Sequence, residues 1–197
     1  MRRPVLVVIA GPPGSGKSAQ AQRLSAELGY PRLSSDALGR MISGSDGFPG
    51  STGDAWRAAF DVVFGLCEDF VRDGISVVLD ISLGWQFQWQ HLDAIRRRHP
   101  EAHWLAIVLQ YPRAVCLERI AQRHAREPAT YASEEWFATN AQSVWGYLES
   151  LDRQDAHVIA ADRTLESVYL DIKTLVNAFD PLASRSVASR TSEACQP

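Results

Sequence analysis

From Pro4 to Ala10 the chain is an almost unbroken apolar run, closed by Gly11-Pro12-Pro13, the pattern of a central strand buried on both faces. The period then changes. Between Lys17 and Leu28, Ala19, Ala21, Leu24 and Leu28 fall along one side, predicting a helix that Gly29 stops. A short strand near Pro31 to Ser34 leads into Ser35-Asp36 and a short helix. The Gly- and Ser-rich stretch from Gly44 to Gly53 reads as a flexible loop. From about Asp54 to Arg72, Trp56, Phe60, Val63, Phe64, Cys67 and Val71 recur at three- and four-residue steps, a buried helical stripe that ends at Gly74.

The second half repeats the alternation. Ile75 to Asp80 and Ala102 to Gln110 read as buried strands, with a helix over about Gln86 to Arg98 between them and another after Pro112. Ser133 to Leu151 reads as one helix, opened by Ser133 as a cap and carrying Trp136, Asn140, Val144 and Tyr147 on one face. His157 to Ala160 makes a last strand. Leu165, Val168, Ile172, Leu175 and Phe179 trace one face of a last helix, before Pro181. Strand and helix in alternation predict an α/β fold with a parallel sheet wrapped by helices. The organisation expected is one domain over residues 1–180 and a disordered tail over 181–197, where Leu182 and Val187 are the only bulky aliphatic residues.

Composition narrows this picture. The chain has 197 residues, the size of one domain, and its 46% hydrophobic and 22% charged residues are those of a globular protein with a core. The net charge of −3 provides no overall field to draw the chain onto nucleic acid or anionic lipid, so any polyanion must be met locally. Cys67, Cys116 and Cys195 stand far apart, without zinc-ligand spacing or a disulfide framework, which fits a reducing compartment. Met1-Arg2-Arg3 before an apolar run resembles a secretion signal, but that run breaks at Gly11, and no stretch approaches the roughly 20 apolar residues of a membrane span. A cytoplasmic location and no membrane partner are expected.

The strongest chemical signal is Gly11-Pro12-Pro13-Gly14-Ser15-Gly16-Lys17-Ser18. It matches GxxxxGK[ST] in full, directly after a predicted strand and directly before a predicted helix. Gly11, Gly14 and Gly16 free the backbone to turn successive N–H groups inward, Ser15 included, around a phosphate, and the positive end of the helix adds to that attraction. Lys17 would reach the outer phosphates and the Ser18 hydroxyl would ligate Mg²⁺.

Carboxylates at strand ends decide what happens to the nucleotide. Val77-Val78-Leu79-Asp80 ends in an acid suited to hold Mg²⁺ through water beside the cradle, or to cap the next turn. It is followed by Ile81 and not by a Glu that would activate water, so hydrolysis is not the expected purpose. Asp36, at the carboxyl edge of the second strand, is the candidate general base for an acceptor hydroxyl; the alternative is that Asp36 or Ser35 caps the short helix. Arg40, four residues on, could grip an anionic acceptor group or pair with Asp36. Arg119, Arg123 and Arg126 could steady the transferring phosphoryl group from a mobile flap, or form a solvated face beside Glu118 and Glu127. Trp85, Phe87, Trp89 and His91 could line an acceptor pocket, with Trp85 or Trp89 or both belonging to the core.

These residues, Gly11 to Ser18, Ser34-Ser35-Asp36 with Arg40, the Val77 to Asp80 strand end and the stretch from Arg119, resemble the small P-loop kinases that include chloramphenicol phosphotransferase, zeta toxins and the kinase part of phage polynucleotide kinase. The resemblance covers roughly Pro4 to Phe179. It implies a P-loop NTPase fold with a five-stranded parallel sheet in the order 2-3-1-4-5, helices on both faces and a small helical lid. It implies Asp36 as base, with Arg123 first among the arginines that engage ATP, and Arg119 and Arg126 after it. The absence of NKxD makes ATP the default donor. A small-molecule acceptor is expected; a polynucleotide 5′-kinase is the alternative, disfavoured by the charge, and a non-catalytic ATP-sensing module is a further one.

Overall fold

In the computed structural model, which describes residues 3–43, 53–128 and 134–179, the apolar runs assemble into one sheet. Its strands are β1 (Val5–Ala10), β2 (Arg32–Ser34), β3 (Val77–Ile81), β4 (His103–Gln110) and β5 (Ala156–Ala160). All neighbours are parallel and the spatial order is β2-β3-β1-β4-β5, as the resemblance implies. The helices are α1 (Lys17–Leu28), α2 (Ser35–Ser43), α3 (Gly53–Arg72), α4 (Gln86–Arg98), α5 (Arg113–Arg126), α6 (Glu134–Asn140), α7 (Gln142–Glu149) and α8 (Leu165–Phe179). The expected Gly44 to Gly53 loop, apart from Gly53, and the tail 181–197 lie outside the described residues.

The period of two along β1 builds two cores. Val5, Val7 and Ile9 pack with α1, α5 and α8, whereas Leu6, Val8 and Ala10 pack with α3 and α4. Every residue of β1 is buried, so the strand is apolar throughout, and each such Leu, Ile or Val contributes about 1.5–3 kcal/mol. The stripe on α3 holds as expected: Phe60, Val63, Phe64, Cys67 and Val71 are all buried, while the Trp56 side chain lies outside the description.

Three expectations need correction. The span from Ser133 to Leu151 is two helices, α6 and α7, divided at Ala141 (φ −99°, ψ 5°). Across this division Phe137, Ala141 and Trp145 join the core on the α1 side, and Val144 and Leu148 join the α3 side. Ser133 and the side chains of Trp136 and Asn140 fall outside the described set. On α8 the buried face is Val168, Tyr169, Ile172 and Val176, and both Leu165 and Phe179 are exposed. Tyr169 rotates the stripe because its ring buries beneath the Arg23 guanidinium while its hydroxyl donates to Glu27. On α1, Ala19 is exposed and Gln20 is buried instead, its amide donating to the Leu165 carbonyl at 2.9 Å. Among the described residues no helix is long and apolar enough to cross a membrane.

Candidate active site

The carboxyl ends of β1, β2 and β3 converge on the loop from Gly11 to Ser18. That loop is braced at both ends: the Gly11 N–H donates to the Ser82 carbonyl at 3.3 Å, and the Ser15 N–H to the Pro12 carbonyl at 3.2 Å. Gly14 and Gly16 have φ of 83° and 85°, which turns the chain into the start of α1. No side chain caps Gly16, so the first-turn amides face the loop, as an anion site requires. Ser15 is buried and its Oγ has no protein partner. The Lys17 side chain is folded into the same place and is 7% exposed.

Behind the loop lies Asp80, in register with Ile9 of β1 and Ser34 of β2. It is 1% exposed, and its Oδ1 accepts the Ser18 hydroxyl at 3.2 Å. Burial pushes its carboxyl above the usual range; Lys17 pulls it down, the charge of Asp36 pushes it up again, and Ser18 and Arg32 pull it down. Asp36, Lys17, Ser18 and Asp80 are therefore one electrostatic unit. The cap alternative for Asp36 and Ser35 gives way to Ser34, whose Oγ accepts the Ala37 N–H at 3.4 Å and so opens α2.

The donor set suits magnesium. A hydroxyl and a carboxylate 3.2 Å apart, on a carboxyl group whose burial is incompletely compensated, are the hard oxygen ligands that Mg²⁺ takes together with phosphates. Among the described residues there is no group of three or more His, Cys, Asp or Glu side chains that could make an all-protein metal cage.

The arginines of α5 separate. Arg119 sits against the loop: one terminal nitrogen donates to the Gly14 carbonyl at 3.3 Å and the other to the Tyr111 hydroxyl at 3.1 Å. Burial pushes the Cys116 thiol up, and Arg119, the Trp145 indole, Lys17 and Arg123 pull it down, so both arginines and the lysine share this side of the loop. Arg126 is exposed and its Nε donates to the Gln122 carbonyl of its own helix at 3.3 Å. Arg40 lies in the last turn of α2, four residues from Asp36 and half-buried. Trp85, just before α4, is half-buried and packs edge to face on Phe60 with centroids 6.2 Å apart. Trp89 belongs to the core, buried with its Nε1 donating to the Leu83 carbonyl at 3.1 Å.

Two residues escape sequence reasoning. Arg32 donates to the Ser18 carbonyl at 3.2 Å and approaches Asp80 Oδ2 at 3.5 Å. Tyr111 holds Arg119. Neither belongs to a motif; the one signal for Arg32 is a cation in a predicted short strand, and for Tyr111 a polar ring just after a predicted buried one.

The chain matches the AAA domain family AAA_33 over residues 6–144. It is 51% identical over 43 residues to an adenylate kinase of Mycolicibacterium smegmatis, a match to 22% of this chain and 23% of that relative, less than a quarter of its length. Among solved structures it is similar to a gluconokinase from Sinorhizobium meliloti (TM-score 0.58, 20% identity, 94% of this chain and 99% of that one). It is similar also to the Mycobacterium tuberculosis APS kinase CysC in complex with AMPPNP and APS (TM-score 0.64, 16% identity, 90% and 99%). At these identities the structural likeness is one of fold, that of P-loop kinases.

Proposed function

This chain belongs to the AAA domain family AAA_33, and from that membership and the site we propose that it transfers the γ-phosphoryl group of ATP to a hydroxyl of a small-molecule acceptor. The observation that carries the proposal is the Ser18–Asp80 bond of 3.2 Å behind a complete phosphate loop, with Asp36 close enough to push up the Asp80 carboxyl. A nucleotide-binding loop alone would need no second carboxylate at the next strand end.

In this mechanism the loop amides and Lys17 bind and orient the β- and γ-phosphates. Ser18 and Asp80 hold magnesium, which when bound neutralises charge on the phosphate oxygens. Asp36 orients the acceptor hydroxyl and accepts its proton as the oxygen bonds to the γ-phosphorus and the bond to the ADP oxygen breaks. Arg119 and Arg123 steady the charge on the transferring group, and Arg40 serves an anionic portion of the acceptor. The gluconokinase and APS kinase likenesses favour a small acceptor, and a net charge of −3 runs against a polynucleotide.

ADP release measured across sugars, nucleosides, aminoglycosides and amphenicols tests the proposal. Turnover with one acceptor class, slow release without it, and loss of both ATP binding and turnover in Lys17→Ala are expected. Asp36→Asn should keep ATP binding and lose acceptor turnover; unchanged turnover would remove Asp36 from its role.

A further inference from the structure

The geometry points to Tyr111 as a positioning residue for ATP, its hydroxyl aiming Arg119 at the peptide that shapes the phosphate loop. The inference rests on the ATP-binding reading above and adds a residue that no motif contains. Tyr111 directly follows β4, is 6% exposed, and uses its hydroxyl twice, donating to the Arg163 carbonyl and accepting from Arg119, both at 3.1 Å. Its ring lies under the same guanidinium, 4.2 Å from centroid to Cζ. Ring and hydroxyl together hold the Arg119 guanidinium in place.

That placement matters because the other terminal nitrogen of Arg119 reaches the Gly14 carbonyl at 3.3 Å. The Gly14 carbonyl and the Ser15 N–H belong to one rigid peptide plane, and the Ser15 N–H is held by the Pro12 carbonyl at 3.2 Å. Held at both ends, this plane cannot turn without breaking both bonds, which fixes the path of the loop into Gly16 and the start of α1 before any nucleotide arrives. Through Arg163 the same hydroxyl ties the loop to the connection between β5 and α8. Tyr111 thus acts through Arg119 on the loop, without touching phosphate itself.

Tyr111→Phe is the test, since it keeps the ring and removes the two hydrogen bonds. Titration with a fluorescent ATP analogue and magnesium should show affinity weakened about tenfold, the effect of losing a charge-assisted bond. The KM for ATP should rise while the KM for the acceptor stays unchanged. In an Arg119→Ala background, Tyr111→Phe should weaken binding no further. Wild-type affinity in Tyr111→Phe, or an equal loss with and without Arg119, would overturn the inference. Wild-type binding that survives Lys17→Ala would instead overturn the proposed function, so the two failures are read separately.

Discussion

Gly14 and Cys116 meet backbone to backbone: a Cβ on Gly14 would lie 2.5 Å from the Cys116 carbonyl oxygen and 2.9 Å from its Cα. Gly14 therefore answers to two demands, a left-handed turn at φ 83° and the close approach of α5, which brings Arg119 to the loop. The phosphate cradle and the helix that carries the arginines are one packed unit.

From this relationship Gly14→Ala should be worse than Gly16→Ala. Both residues sit at positive φ, a strain of about 1–2 kcal/mol for alanine. At Gly16 the nearest obstacle is the Leu165 Cδ2 at 3.3 Å, the end of an exposed side chain that can move aside. At Gly14 the obstacle is backbone, adding about 1–3 kcal/mol. Urea unfolding should rank the two variants in that order, with ATP binding lost in Gly14→Ala. Equal destabilisation would mean that α5 does not press on the loop.

Gly84→Ala should destabilise by about 1–3 kcal/mol, because its Cβ would fall 2.4 Å from the Cγ1 of Val144 on α7. Val144→Ala clears both methyls and leaves its own Cβ at 2.9 Å, so the double variant should be more stable than Gly84→Ala alone through partial relief, even though Val144→Ala by itself leaves a cavity. Chemical denaturation of the four chains measures the coupling. Strictly additive losses would show that the β3–α4 connection and α7 do not touch.

Much of this architecture was legible in the sequence. The apolar runs gave the five strands to within two residues at each end, and the phosphate loop appeared where its motif stood, since both signals are local: period along the chain and glycine spacing. What escaped was set by distance. Arg32 reaches a carbonyl 14 residues away and a carboxylate 48 away, and Tyr111 a carbonyl 52 residues away; nothing local marks such pairs. The α8 stripe differs from the aliphatic one because Tyr169 buries its ring and satisfies its hydroxyl on Glu27. Asp36 was legible as the acid after β2, but the Ser34 cap that frees it from capping duty was not.

Arg32 and Asp80 should show opposite signs. Asp80 is buried and the charged form is disfavoured there, so Asp80→Asn removes a poorly compensated charge and should leave stability unchanged or higher, while turnover falls about 100-fold with the loss of a magnesium ligand. Arg32→Ala takes away one of the groups that favour the charged form and should destabilise. At 3.5 Å with Arg32 29% exposed, about 1–3 kcal/mol is expected, less than for a fully enclosed pair. In the Asp80→Asn background Arg32→Ala should cost less. Thermal unfolding of the cycle checks this, and a loss independent of Asp80 would assign Arg32 to the Ser18 carbonyl alone.

The alkaline limb of stability should carry the signature of Cys67. Its side chain is fully enclosed on α3, and burial, with the charge of Glu68 adding, pushes the thiol from 9.0 to about 12. The folded state thus holds this proton more tightly than the unfolded chain does. Below pH 9 both states are protonated and the full contribution is present; as pH rises from 9 toward 12 only the unfolded chain releases the proton, and stability falls by about 1.4 kcal/mol per pH unit. Cys67→Ala should lower stability at neutral pH by leaving a cavity, yet flatten the alkaline fall by one proton, so the gap between the two curves narrows as pH increases. Urea midpoints of both chains between pH 8 and 10.5, on the order of the range where a folded domain can be held, measure it. Curves that stay parallel would mean that the thiol titrates alike in the folded and unfolded chain, and that the sulfur is open to water.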